Sequence, residues 1–277
     1  MNLAQGEGMQ LSGKSAIVTG AGGGIGQAVA EAYGRAGASI IVNDISKEAA
    51  HETAMKVEAV GARAVVILGP VGDELVAQSL TEAAVSEFGH LDILVNTAGI
   101  VRDRMIHNME FEELVDVLTV HLIGTWCNCR AALRHWRPLI KQEDAVLDPA
   151  NARFRKIINV TSLSGLRGNA GQSNYAAAKA GIVGLTKTLA REAGPLRVNV
   201  NAIAPLARTA MTESNDYGLH LPPGPPREAF LKARLERSAL RWIAEPDQVT
   251  GAFLFFASPA SDYITGQVLN VDGGANI

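Results

Sequence analysis

The chain has 277 residues, 47% hydrophobic and 19% charged, which is too apolar and too sparsely charged for a disordered polypeptide and long enough to bury a full core. Its 25 lysines and arginines stand against 28 aspartates and glutamates, a formal charge of −3, so no basic field draws nucleic acid or anionic lipid. No apolar run reaches the ~20 residues that cross a bilayer, and the first residues have neither the basic head nor the apolar core of a secretory leader; the expectation is a cytoplasmic protein without nucleic-acid or membrane partners.

Strands and helices alternate through the first half. Strands are predicted at 15–19, 39–43, 64–68 and 93–96, followed by helices at 24–37, 47–61, 74–89 and 111–136. Short β-branched runs separated by helices of a dozen residues or more make βαβ units. The runs AIVTG, IIVND, AVVIL, DILVN, IINVTS, VNVNAIAP and QVLNVDGG are nearly continuous in apolar residues, as strands covered on both faces are. The fold class is therefore α/β: a single doubly wound Rossmann domain over 1–277, with a seven-stranded parallel sheet and helices on both faces.

Two segments break the rhythm. Residues 141–156 are polar and are expected to form a surface insertion. Residues 206–242 include a stretch, 212–228, with four of the eleven prolines; they are read as a substrate-binding loop or lid, or as a stiff connector. The two cysteines, Cys127 and Cys129, fall two apart on a predicted helix and so do not face each other; no metal-site spacing surrounds them, and they read as core thiols.

The first strand runs into GAGGGIG and then a helix. In that setting Gly20, Gly24 and Gly26 let backbone N–H groups approach a pyrophosphate at a helix N-terminus. Asp44 closes the second strand, 24 residues after Gly20, where a carboxylate accepts hydrogen bonds from ribose hydroxyls. A 2′-phosphate would meet like charge there, and the loop holds no Arg or Lys to neutralise it. The cofactor expected is NAD rather than NADP.

Tyr175 and Lys179 lie four apart at the start of an Ala-rich helix, and Ser162 stands thirteen residues before Tyr175 at a strand end. Side chains four apart share one helix face, so the ammonium acts on the phenol. At ~4 Å and an effective dielectric of ~20 that interaction is about 4 kcal/mol, against ~1.4 kcal/mol per pKa unit, enough to bring a tyrosine from ~10 toward neutrality. Such a phenol takes the proton of a secondary alcohol as hydride leaves its carbon, with Ser162 hydrogen-bonded to the reacting oxygen.

Taken together, TGAGGGIG, NTAG at 96–99, the set Ser162, Tyr175 and Lys179, and ITGQVLNVDGG resemble the short-chain dehydrogenase/reductase family over nearly the whole chain. Within it, VNDIS, GNAGQSNYAAAKAGIVGL and NAIAPLARTAMTE look most similar to the 3-hydroxyacyl-CoA dehydrogenase part of peroxisomal multifunctional β-oxidation enzymes and related bacterial proteins. The resemblance implies NAD-dependent oxidation of a fatty-acyl or sterol-derived 3-hydroxyacyl-CoA. Alternatives are a 3-oxoacyl carrier-protein reductase, a steroid or small secondary-alcohol dehydrogenase, or a non-catalytic NAD-binding protein.

It further implies catalytic roles for Ser162, Tyr175, Lys179 and His121. Cofactor contacts are implied from Gly20, Gly24, Ile25, Gly26, Asp44, Val71, Asn96, Ala98, Gly99, Tyr175, Lys179, Pro205 and Thr209, and no metal. His121 stands where the family usually has the Asn of a proton relay; it either serves that relay or packs as a neutral core imidazole, and its protonation below pH ~6.5 is expected to impair activity. Pro70-Val71 replaces an Asp-Val that contacts adenine, and Pro205-Leu206 replaces Pro-Gly, one residue nearer to Met211 than usual. The family also implies a homo-oligomer, commonly a tetramer, built on the helices at 111–136 and 175–192. Arg102, Arg104, Arg208 and Arg227 are either coenzyme A phosphate ligands or solvated surface charges.

Overall fold

The computed structural model describes residues 10–143, 153–211, 232, 236 and 238–277. Seven strands form one all-parallel sheet: β1 (Ser15–Thr19), β2 (Ser39–Asp44), β3 (Ala64–Leu68), β4 (Ile93–Asn96), β5 (Arg155–Val160), β6 (Val198–Pro205) and β7 (Val268–Val271), in the order β3-β2-β1-β4-β5-β6-β7. The helices between them are α1 (Gly24–Arg35), α2 (Lys47–Ala59), α3 (Glu74–Phe88), α4 (Phe111–Leu118), α5 (Gly124–Glu143), α6 (Leu163–Arg167), α7 (Ser173–Ala193) and α8 (Thr250–Ala257).

Side chains alternate across each strand, so the sheet feeds two cores. Val18, Ile40 and Val42 pack with Val29 and Tyr33 of α1, Val57 of α2 and Phe253 and Phe256 of α8. Ile17, Ile41, Leu94 and Ile157 pack on the other face with Leu80 of α3, Trp136 of α5 and Leu189 of α7. Apolar runs without alternation are the result, as expected for strands buried on both sides. Helix starts follow local chemistry: Ser46 accepts the Ala49 N–H at the start of α2, and Asp73 accepts the Leu75 N–H at the start of α3.

The chain runs outward from β1 in both directions, so the topology reverses between β1 and β4. A crevice opens there beyond the C-terminal ends of the strands. At the opposite end of the sheet, buried Asp92 accepts the Ser15 N–H at 3.1 Å and pairs with Arg153 at 2.7 Å, His90 at 3.1 Å and Lys14 at 3.5 Å.

Two expectations need correction. The helix expected over 111–136 is not continuous: a π turn over Thr119–Ile123 separates α4 from α5, and α5 runs past Pro138 to Glu143. The segment 141–156 is shorter as an insertion than its polarity implied. Its first three residues end α5, while Arg155 and Lys156 begin β5, where Lys156 is held by Asn199, Ser261 and Asp262. Polar composition misled because this lysine is satisfied inside the fold. Residues 144–152 and 212–231, with Arg227, lie outside the described residues.

Candidate active site

The crevice is a cleft of about 300 Å³ that gathers the turns after β1, β2, β4, β5 and β6. It brings together Gly20, Gly24, Ile25, Gly26, Asp44, Gly99, His121, Ser162, Tyr175, Lys179, Pro205 and Thr209. Residues as far apart in sequence as 20 and 209 meet because the parallel order puts every strand's C-terminal end on one side.

At one end the glycines are required by contact. A Cβ on Gly20, whose φ is +61°, would stand 2.5 Å from the Ala98 Cα, and one on Gly26 would strike the Gly20 carbonyl. Gly23 precedes α1 and the helix has no side-chain cap, so its first-turn N–H groups are open to an anion. The Asp44 carboxylate accepts the Gly22 N–H at 2.8 Å and the Ser46 N–H at 3.0 Å, and a side chain at Gly22 would collide with it at 2.8 Å. Uncapped amides at one point and an oriented carboxylate at another are a donor set that fits the pyrophosphate and adenosine ribose of a dinucleotide.

At the other end Tyr175 occupies the first turn of α7 and Lys179 the second. The Lys179 Nζ lies 5.5 Å from the Tyr175 ring centroid and donates to the Val160 carbonyl at 2.8 Å. Lys179 is buried, and desolvation lowers its pKa to about 7. The simple charge argument from spacing thus needs revision: around neutrality the lysine is only partly a cation. Ser162 caps α6, its Oγ accepting the Ser164 N–H at 3.2 Å, which leaves its own O–H to point at a ligand. Thr161 donates to the Lys179 carbonyl at 2.8 Å, and α6 reaches α7 only because Gly165 has no Cβ, which would stand 2.6 Å from the Lys179 backbone.

His121 is delivered by the π turn. Its ring meets Tyr175 edge-on at 5.1 Å between centroids, and its Nε2 lies 2.7 Å from the Ile100 carbonyl and 3.0 Å from the Ile100 backbone nitrogen. A Cβ on Gly99 would enter the imidazole. Burial, and then the Lys179 charge, hold its pKa well below 6.5 against the opposing pull of the Ile100 hydrogen bond. The expected loss of activity by protonation near pH 6.5 is therefore moved to much lower pH. Its Nδ1 is buried and without a hydrogen-bond partner among the described residues.

Three sequence-predicted positions do not line the cleft. Asn96 is a rung in a buried polar ladder: Asn128 donates to it at 3.2 Å, it donates to Asn159 at 2.9 Å, and Asn159 donates to Thr186 at 2.9 Å. Val71 is packed beside Gly124 at the start of α5, and Ala98 backs Gly20. Arg102, Arg104 and Arg208 pair with Asp116, Glu113 and Glu245 as surface charges. The sequence reading passed over Thr97, Thr161, Ala207 and Met211, which do line the cleft; their signal is only that each follows a strand end. Cys127 and Cys129 are buried free thiols, and desolvation takes Cys129 to about 12.

Comparison with known proteins agrees with this geometry. A family model described as enoyl-(acyl carrier protein) reductase matches residues 20–276. A 3-oxoacyl-[acyl-carrier-protein] reductase of Thermotoga maritima is 36% identical over 96% of this chain and 99% of its own. A hydroxyacyl-CoA dehydrogenase of Mycobacterium tuberculosis is 39% identical over 95% of this chain and 78% of its own. The crystal structure of a short-chain type dehydrogenase/reductase from Mycobacterium marinum superposes with a TM-score of 0.82 at 30% identity, covering 97% of both chains. With this fold, this cleft and these relatives, the chain belongs to the short-chain dehydrogenase/reductase family and is an oxidoreductase.

Proposed function

We propose that the protein interconverts a 3-hydroxyacyl thioester and its 3-oxoacyl counterpart with NAD, the acyl group being a fatty-acyl or sterol-derived coenzyme A ester. The observation that carries this reading is the single cleft joining Asp44 and the open start of α1 to Ser162, Tyr175 and Lys179.

NAD, when bound, accepts the hydride from the carbinol carbon. The open N–H groups of α1 hold its pyrophosphate and Asp44 accepts from the adenosine ribose hydroxyls. Among the described residues lining the cleft the only Lys or Arg is Lys179, and it is buried beside Tyr175, so no cation is placed to neutralise a 2′-phosphate. Ser162 donates its O–H to the reacting oxygen, and the Tyr175 phenolate takes the hydroxyl proton as the carbonyl forms. Lys179, titrating near neutrality, stabilises that phenolate and passes the proton on. The orphaned His121 Nδ1 hydrogen-bonds a water in the same relay. Residues 206–242 form the substrate-binding loop, a reading supported by Ala207, Thr209 and Met211 in the cleft wall. The proposal includes a cytoplasmic homotetramer.

The Thermotoga relative favours a second reading, reduction of a 3-oxoacyl group on a carrier protein. Initial rates with NAD and NADP against 3-hydroxyacyl-CoA esters, steroid alcohols and simple secondary alcohols separate the readings. The expected result is NAD preference with efficient thioester turnover, weakened in Asp44→Ala and reduced about 10²–10⁴-fold in Tyr175→Phe. Preference for NADP rejects the role of Asp44, and turnover of non-thioester alcohols alone rejects the substrate.

A further inference from the structure

The turn carrying Ser162 and the segment after β4 meet at one buried side chain outside the catalytic set. Gln172, at the entry to α7, is 5% exposed and engages both ends of its carboxamide. Its Oε1 accepts the Ser164 hydroxyl at 2.7 Å and the Asn169 amide at 3.0 Å, and its Nε2 donates to the Asp103 carboxylate at 2.7 Å. Ser164 in turn holds the Ser162 Oγ through its backbone N–H. Alongside, the Arg104 N–H donates to the Gly171 carbonyl at 2.8 Å.

The orientation of this amide is dictated by its surroundings. Turned over, it would set its carbonyl against the Asp103 carboxylate, which has no proton to give. We propose that Gln172 is a positioning residue that fixes the Ser162 turn and the Asp103 segment to the start of the helix bearing Tyr175, so that the serine hydroxyl and the phenol keep one geometry. This rests on the proposed role of Ser162. Loss of a few tenths of an ångström in that geometry lowers the rate of the chemical step without touching the nucleotide end of the cleft.

The chemistry supplies its own reversal test. In Gln172→Glu a carboxylate faces the Asp103 carboxylate at close range, and the two repel. In the double variant Gln172→Glu with Asp103→Asn the donor moves to position 103, and every contact of the original amide is satisfied again. Acetoacetyl-CoA reduction by NADH should show kcat reduced about tenfold or more in Gln172→Glu, with the Kd for NADH unchanged by fluorescence, and kcat restored to within about threefold in the double variant. Deuterium exchange, which needs no turnover, should rise in peptides spanning both 101–105 and 162–167 in the single variant and fall back in the double. Gln172→Met, which cuts both links without adding charge, should behave as Gln172→Glu does and gives the same reading if the charged variant does not fold. Wild-type kcat in Gln172→Met, no recovery in the double variant, or exchange confined to one segment overturns the inference. Ser162→Ala is measured beside them: a collapse there with an innocuous Gln172→Met sinks only the positioning role, whereas wild-type rates in Ser162→Ala sink the assigned role of the serine and this inference with it.

Discussion

Lys179 is 3% exposed and titrates at about 7 in the folded chain, against ~10.4 when solvated. Below pH 7 the folded chain buries a charge at full cost. Between the two values the unfolded chain holds the extra proton, so this residue makes stability rise with pH across that window. The melting temperature of the cofactor-free protein minus that of Lys179→Met should therefore climb from pH 7 to pH 9 and be flat from pH 5 to 6; a flat profile throughout rejects the buried cation. Tyr175, Lys179 and Ser162 were legible in the sequence because one helical turn and one strand end fix their relations locally. The direction of the Asn96 side chain was not legible, because a motif states which residues recur and not which way they face, and in the fold it faces the Asn159 amide. For His121 the sequence left a neutral core imidazole as one of two readings; what lowers its pKa, burial and the Lys179 charge, reaches it only through tertiary packing.

Among the elements, the strands were read almost to the residue, since a β-branched run bounded by glycine has few alternatives. The π turn was not. A helix pattern shows where apolar positions recur, while one wide turn between α4 and α5 changes which face points inward and is settled by what packs there, notably His121 against Gly99 and Gly124 against Val71. The strand starts are joined by Asp92, whose carboxylate ties β1 to Lys14, His90 and Arg153. Asp92→Ala leaves the Ser15 amide without its acceptor and should cost about 2 kcal/mol, seen as a fall of several degrees in melting temperature. Because this cluster lies at the end of the sheet opposite the cleft, kcat at 25 °C should stay within about twofold of wild type; a large loss of activity without loss of stability would show that the two ends are coupled.

At the scale of the molecule, doubly wound topology was legible from alternation alone, and the meeting of distant residues at one crevice follows from the strand order. Residues 212–231 offered only prolines to read, and a proline run fixes local stiffness without fixing where the chain goes. The surface bears on assembly. Phe111, Val115, Ile123 and Trp126 leave an apolar row exposed along α4 and α5, with Arg130 stacked over the Trp126 ring at 5.1 Å. In the proposed tetramer this row is covered by a second copy, so the native mass should be four times the 29.2 kDa chain, and Trp126→Asp should lower it. A monomeric wild type rejects the assembly and leaves the cleft as it is.

The polar ladder of Asn128, Asn96, Asn159 and Thr186 crosses the core from α5 through β4 and β5 to α7. Exchanging any one rung for leucine strands its neighbours without water, while exchanging all of them for shape-matched apolar groups removes every debt together. Divergence by single substitutions is thus walled off at these four positions. Random mutagenesis under selection for folding should return them unchanged or altered as a set, whereas the apolar positions beside them drift one at a time.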